Sequence, residues 1–157
     1  MNVRSFLAAA IACAACLTGC GSPASGVDFK APAGWKPGVS MFGVMQMWTR
    51  ENRPGSVMML MRVPGHGNSD QLDQTLKTQF QTKKPVENKA IKICGGQPAQ
   101  FTLFMGHSKR HAGEDRVEMI RTSIGDATYM SIYARGAGES SDPAAESAIK
   151  SLCPKKA

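Results

Sequence analysis

The sequence predicts an α+β fold, a single antiparallel β-sheet of about six strands with helices packed on it. Three observations predict it. Segments such as 41–49 and 97–107 alternate side chains at a period of two, as strands do. Two windows switch to helical spacing, Leu72-Leu76-Phe80 and Ala145-Ala148-Ile149-Leu152. Short turns at Gly95-Gly96 and Gly125-Asp126 join the strands between those windows into a meander. One sheet carrying helices satisfies the order strand, strand, helix, four strands, helix.

Residues 27–39 hold Ala31-Pro32, Gly34-Trp35 and Pro37-Gly38, which break regular structure, while Phe29 and Trp35 fold down on the core. Met41 to Thr49 reads as a strand. Asn52-Arg53-Pro54-Gly55 is a turn, and Ser56 to Val63, apolar on both faces, is a central strand paired with the first. Asn68 or Ser69 caps a helix running to about Lys83, stopped by Pro85. Glu87–Cys94, Gln97–His107, Asp115–Ile124 and Ala127–Arg135 are the meander strands. Asp142-Pro143 starts the closing helix, an N-cap followed by proline at N1, and Cys153-Pro154 ends it.

The leader sets the compartment. Arg4 precedes an apolar run from Phe6 to Leu17, about a dozen residues, short of the ~20 that a spanning helix needs. Leu17-Thr18-Gly19-Cys20 follows. This resembles the lipobox of bacterial lipoproteins. The resemblance implies cleavage before Cys20, a diacylglyceryl thioether on its sulfur and an acyl chain on its amine. More than one chain gives stable anchoring. The expected organisation is residues 1–19 as signal peptide, 20–27 as lipidated tether and 28–157 as one α+β domain. Gly21 after the lipidated position is similar to the pattern of lipoproteins sent to the outer membrane.

With the leader and its one basic residue removed, the formal charge of +7 falls by one. Lys83-Lys84, Lys109-Arg110 and Lys155-Lys156 are dispersed, which suits a soluble surface or attraction to anionic headgroups and envelope polymers. Nucleic acid is not expected as a partner outside the membrane, and no aromatic residues interleave with the basic ones to support it. Of five cysteines, Cys13 and Cys16 leave with the leader and Cys20 takes lipid. Cys94 and Cys153 remain, and in an oxidising compartment they read as a disulfide. Neither lies in a Cys-x-x-Cys motif, so redox catalysis is not expected.

The layout also resembles the Mog/PsbP/DcrB-like group over roughly residues 28–153. Phe29, Pro32, Gly34-Trp35, the Gly95-Gly96 turn, Tyr129 and Ala144-Ala145 carry that likeness. It implies a PsbP-like sheet-and-helix domain with an accessory role and supplies no site residues.

Four constellations bear on chemistry. His107 and His111 are four apart with Glu114 behind, but they span a hairpin tip holding Lys109 and Arg110, which oppose a cation. Met41, Met45, Met47, Met58, Met59 and Met61 crowd two strands beside Trp48. Thioethers suit Cu(I), with Met45 and Met47 on one face, but methionine is also a flexible core filler. His66, Ser69 and Asp70 are neighbours in one loop, where a triad seldom assembles, and Gly-x-Ser-x-Gly is absent. Glu114, Asp115 and Glu118 near Arg116 form a mixed-charge strand rather than an isolated acid–base pair.

The expectation is a lipid-anchored, non-catalytic binding or accessory protein facing the periplasm, with no cofactor and no catalytic residues. Its expected partners are the membrane, through the lipid, and an envelope protein or anionic envelope polymer. The alternative is a periplasmic Cu(I) binder using the Met-rich hairpin.

Overall fold

The computed structural model describes residues 26–41, 43–65, 74, 78, 85–107, 114–136 and 138–155. Their strands are β1 (Val27–Asp28), β2 (Lys36–Met41), β3 (Met45–Arg50), β4 (Arg53–Pro64), β5 (Pro85–Ile93), β6 (Gln97–His107), β7 (Glu114–Ile124), β8 (Ala127–Arg135) and β9 (Cys153–Pro154). One helix, α1 (Pro143–Lys150), precedes β9. A seven-stranded sheet runs in the order β2-β3-β4-β8-β7-β6-β5, every neighbouring pair antiparallel. β1 and β9 form a second, two-stranded antiparallel sheet.

This overturns the α+β expectation of helices packed on about six strands. The described chain is mostly β, and the one helix whose bounds it includes is short. The misreading lies in the segment opening the domain. Pro37 and Gly38 break a central strand, but an edge strand leaves every second N–H unpaired and tolerates proline. Lys36–Met41 is such an edge, paired with β3 through an irregularity between Pro37 and Ser40. α1 spans eight residues, and the chain then extends so that Cys153-Pro154 pairs with Val27-Asp28. The helix expected to run to about Lys83 lies outside the described residues except at Gln74 and Thr78. Both are helical and exposed, and the Thr78 hydroxyl donates to the Gln74 carbonyl at 2.8 Å.

Cross-strand partners share a face of the sheet, so the register sorts the side chains. One face carries Trp48, Met58, Tyr133 and Glu118 in a row, with Leu60, Ser131, Ile120 and Phe101 beside it. α1 contacts β8 and β7. Ala145, Ala148, Ile149 and Leu152 join Val27, Trp35, Leu60 and Tyr133 in one buried cluster on this face. Leu152 is buried although it lies past the helix end. The Ser131 hydroxyl donates to the Ile149 carbonyl at 2.6 Å, which satisfies both groups inside that core.

The opposite face carries Met47, Met59, Ile132 and Met119 in one row and Met45, Met61, Met130 and Arg121 in the next. Its buried cluster is Phe104, Val117, Met119, Met130, Ile132 and Ala134, with Val57, Met59, Met61 and Val63 packed against it. Each fully buried aliphatic side chain contributes roughly 1.5–3 kcal/mol.

Candidate functional site

The corner where the described chain begins gathers several of the singled-out residues. Val27 pairs with Pro154 and Asp28 with Cys153. The Lys155 amide donates to the Gly26 carbonyl at 3.1 Å. Cys153 thus lies beside the first described residues, and it meets Cys94 at disulfide distance, Cα to Cα 5.4 Å. Cys94 lies in the β5–β6 turn with φ of 50°, a left-handed conformation that non-glycine residues seldom take. Gly95 and Gly96 follow with positive φ at no steric cost. The two-stranded sheet, the Cys94–Cys153 pair and the β5–β6 turn therefore fasten both ends of the domain to one end of the large sheet.

Three contacts lead from this corner to the β2–β3 hairpin. A Cβ on Gly26 would lie 2.7 Å from the Tyr129 hydroxyl. That hydroxyl accepts a hydrogen bond from Arg62 Nε at 3.2 Å. The Arg62 amide donates to the Val44 carbonyl at 2.8 Å. The hairpin tip exposes apolar side chains, Val39 at 60%, Met41 at 49% and Val44 at 41%. The strand expected over Met41–Thr49 is broken here: β2 ends at Met41, Gly43 and Val44 turn the chain, and β3 starts at Met45. The positive φ of Gly43 and the Val44 amide bond to the Met41 carbonyl close a hairpin that side-chain alternation does not reveal.

The other end of the sheet holds a polar hub at Asp142. Its carboxylate accepts from the Ala144 and Ala145 amides at 3.1 and 3.4 Å, as the N-cap of α1. It also accepts from Trp35 Nε1 at 3.2 Å and from Arg50 Nη1 at 2.5 Å. Burial alone would raise this carboxyl's pKa. The donors from Trp35, Ala145, Arg50 and Ala144 outweigh it and hold the pKa below the ordinary aspartate value. The cap was legible in Asp142-Pro143. The reach to Arg50 and Trp35, across about a hundred residues of chain, was not. Beside the hub, Glu139 accepts from the Gly55 amide at 2.9 Å and from the Ser56 hydroxyl. Burial pushes the Tyr133 phenol up. Ser56 and Tyr133 are both buried, which keeps a substrate from their hydroxyls.

The methionines separate by face. Met58 is fully buried beneath α1's side, between Trp48 and Tyr133. Met45 and Met47 are half-buried on the opposite face, facing Met61 and Met59. One metal ion therefore cannot collect Met45, Met47 and Met58 together. His107 falls at the end of β6 opposite Glu114, while His111, the His66 loop with Ser69 and Asp70, and Cys20 lie outside the described residues. Among the described residues no three His, Cys, Asp or Glu side chains group as metal ligands. No described helix is long and apolar enough to cross a membrane.

A shallow groove of about 580 Å³ opens on the methionine-bearing side at the β6–β7 end nearest the Gly95-Gly96 turn, lined by Ala90, Gln97, Gln100, Arg121, Ser123 and Thr128. Gln97 Nε2 donates to the Thr122 hydroxyl at 3.0 Å and the Ser123 carbonyl at 2.9 Å, which fixes one wall. Its lining offers amides, hydroxyls and one guanidinium, and it lacks a nucleophile with an adjacent base.

No protein-family model matches the chain, and no curated protein does. A crystal structure from Bacteroides thetaiotaomicron VPI-5482 is similar in fold, with a TM-score of 0.59 at 15% identity, over 86% of this chain and 47% of that one. This chain thus spans about half the length of the solved protein it matches, and the likeness is one of fold alone.

Proposed function

We propose that this chain is a lipid-anchored, non-catalytic binding or accessory protein of the bacterial cell envelope, held at Cys20 and facing the periplasm. The observation that carries the reading is Leu17-Thr18-Gly19-Cys20 behind a basic, apolar leader. Gly21 favours the outer membrane over the inner. The pairing of Cys94 with Cys153 at bonding distance agrees with an oxidising compartment. The acids around the Asp142 end of the sheet work as structure. Asp142 caps a helix, Glu139 bridges Gly55 and Ser56, and Glu118 is held by Arg116 at 3.1 Å. That use of the acids supports a binding role over a catalytic one. The groove beside Arg121, with its amides and hydroxyls, suits an anionic or hydroxylated envelope polymer better than an apolar ligand.

Fractionation tests the anchor. Wild-type protein should sediment with membranes and resist carbonate extraction, and Cys20→Ser should not yield that anchored form. Wild-type protein recovered wholly in the soluble periplasmic fraction would refute the reading.

A second reading rests on the methionine face. Met45 stands opposite Met61, and Met47 opposite Met59, so four thioethers lie side by side on two strands. Thioethers favour Cu(I), and this quartet is the place where the chain would take it. Two of the four, Met59 and Met61, pack against the second buried cluster, which is ordinary work for methionine.

A further inference from the structure

Four large apolar side chains stand exposed among the described residues, and three of them, Val39, Met41 and Val44, belong to the β2–β3 hairpin tip. Single exposed hydrophobics are common on protein surfaces, but three within six residues at one projecting turn form a patch. The fold does not need them there. Gly43, with φ of 69°, makes the turn, and the Val44 amide closes it on the Met41 carbonyl at 2.8 Å. Polar side chains would serve that turn equally well.

The position of the tip indicates its use. Gly26, where the described chain begins, connects to Val44 through Tyr129 and Arg62. Five residues lie between Cys20 and Gly26, so six residue steps join them. A chain extends at most about 3.3–3.6 Å per residue, so a lipid on Cys20 holds this corner within roughly 20 Å of the bilayer. Lys155 sits at the same corner, its backbone bonded to Gly26, and adds positive charge toward anionic headgroups. The fourth exposed apolar residue, Val86, lies on β5 at the opposite edge, six strand spacings or roughly 29 Å away.

From this placement we infer that the β2–β3 tip is a membrane-contacting element: Val39, Met41 and Val44 enter the headgroup layer of the membrane that holds the anchor. The domain then does not swing freely on its tether. It is set with one corner down and its opposite end, with the Asp142 hub, directed into the periplasm. This inference rests on the lipid-anchor reading. A partner protein covering the tip instead is the competing outcome.

The test places a reporter at the tip. Met41→Trp, Val44→Trp and the control Val86→Trp are made in the full chain and purified with any attached lipid. Each is reconstituted in phosphatidylethanolamine–phosphatidylglycerol vesicles with brominated acyl chains, and the emission of Trp35 and Trp48 in wild type is subtracted. The added emission of Met41→Trp or Val44→Trp should fall at least twofold relative to unbrominated vesicles, with Val86→Trp unchanged. Tip reporters quenched no more than Val86→Trp, on protein shown by mass spectrometry to carry lipid at Cys20, overturn the inference and leave the anchor reading intact. If mass spectrometry finds no lipid, the anchor reading fails by itself. The same quenching is then measured with unlipidated chain added to the vesicles. Quenching confined to the tip upholds membrane contact, and its absence overturns it.

Discussion

Replacing Asp142 should unfasten three elements at once. Its carboxylate caps α1 and holds Trp35 and Arg50, which belong to the segment before β2 and to β3. In Asp142→Ala the lost cap costs about 1 kcal/mol. The Trp35 and Arg50 donors are left without their acceptor, a further ~1–3 kcal/mol. The Arg50 side chain is 29% exposed and regains water, which places that second loss at the lower part of its range. The sum is roughly 2–3 kcal/mol, a fall in Tm of about 8 °C for a domain of this size. Asp142→Asn keeps an N-cap oxygen but loses the charge facing Arg50, so about 1–2 kcal/mol should go. The carboxyl's depressed pKa gives the pH dependence its sign. Its stabilisation is complete above the unfolded value, near 3.8, and disappears as pH falls through the lower folded value. Urea unfolding from pH 7 down to pH 2.5 on wild type and both variants measures this. The reasoning is refuted if Asp142→Ala unfolds within 0.3 kcal/mol of wild type, or if Asp142→Asn keeps the full acid-dependent loss (thresholds on the order of additivity error).

Other perturbations probe the rest of the fold. Cys94 and Cys153 stand 59 residues apart, and closing that loop constrains the unfolded chain by roughly 4 kcal/mol, so each alanine variant should lower Tm similarly and the double variant should add little. Non-reducing peptide mapping of exported protein should show the two linked, and alkylation of both thiols without reductant would contradict this. Gly26→Ala places a Cβ against the Tyr129 hydroxyl at a φ of 89°, and a loss of about 1–2 kcal/mol on unfolding should follow. Ile132→Ala opens a void in the methionine-side cluster, costing about 2–5 kcal/mol by the same measurement. Cu(I) titration under reducing conditions should show no stoichiometric binding tighter than micromolar, and tight binding lost in a Met45/Met47 double variant would favour the metal reading instead.

Local signals in the sequence located most of the strands. Period-two alternation and glycine turns delimited β6, β7 and β8 to within one or two residues, because hairpin chemistry is short-range. The inward stripe of Ala145, Ala148, Ile149 and Leu152 was legible for the same reason, although Leu152 reaches the core from beyond the helix. Proline and glycine at 37–38 concealed the edge strand β2, since tolerance of proline depends on a neighbour's absence, which a sequence does not display. That omission, with a closing helix shorter than its apolar stripe suggests, turned a mostly β protein into an expected α+β one. Of the candidate sites, the approach of Cys94 to Cys153 followed from counting cysteines. The division of the methionines between two faces needed the register of β3 against β4. The convergence of Arg50, Trp35 and Asp142 is set by tertiary packing alone.

Lipidation at Cys20 underlies both the proposed anchor and the proposed membrane contact. Intact-mass and peptide mass spectrometry of the mature protein from its own membranes tests it most directly. The account predicts an N-terminal peptide starting at Cys20 and carrying a diacylglyceryl thioether with an acylated amine. An unmodified N-terminus at any other residue would contradict it.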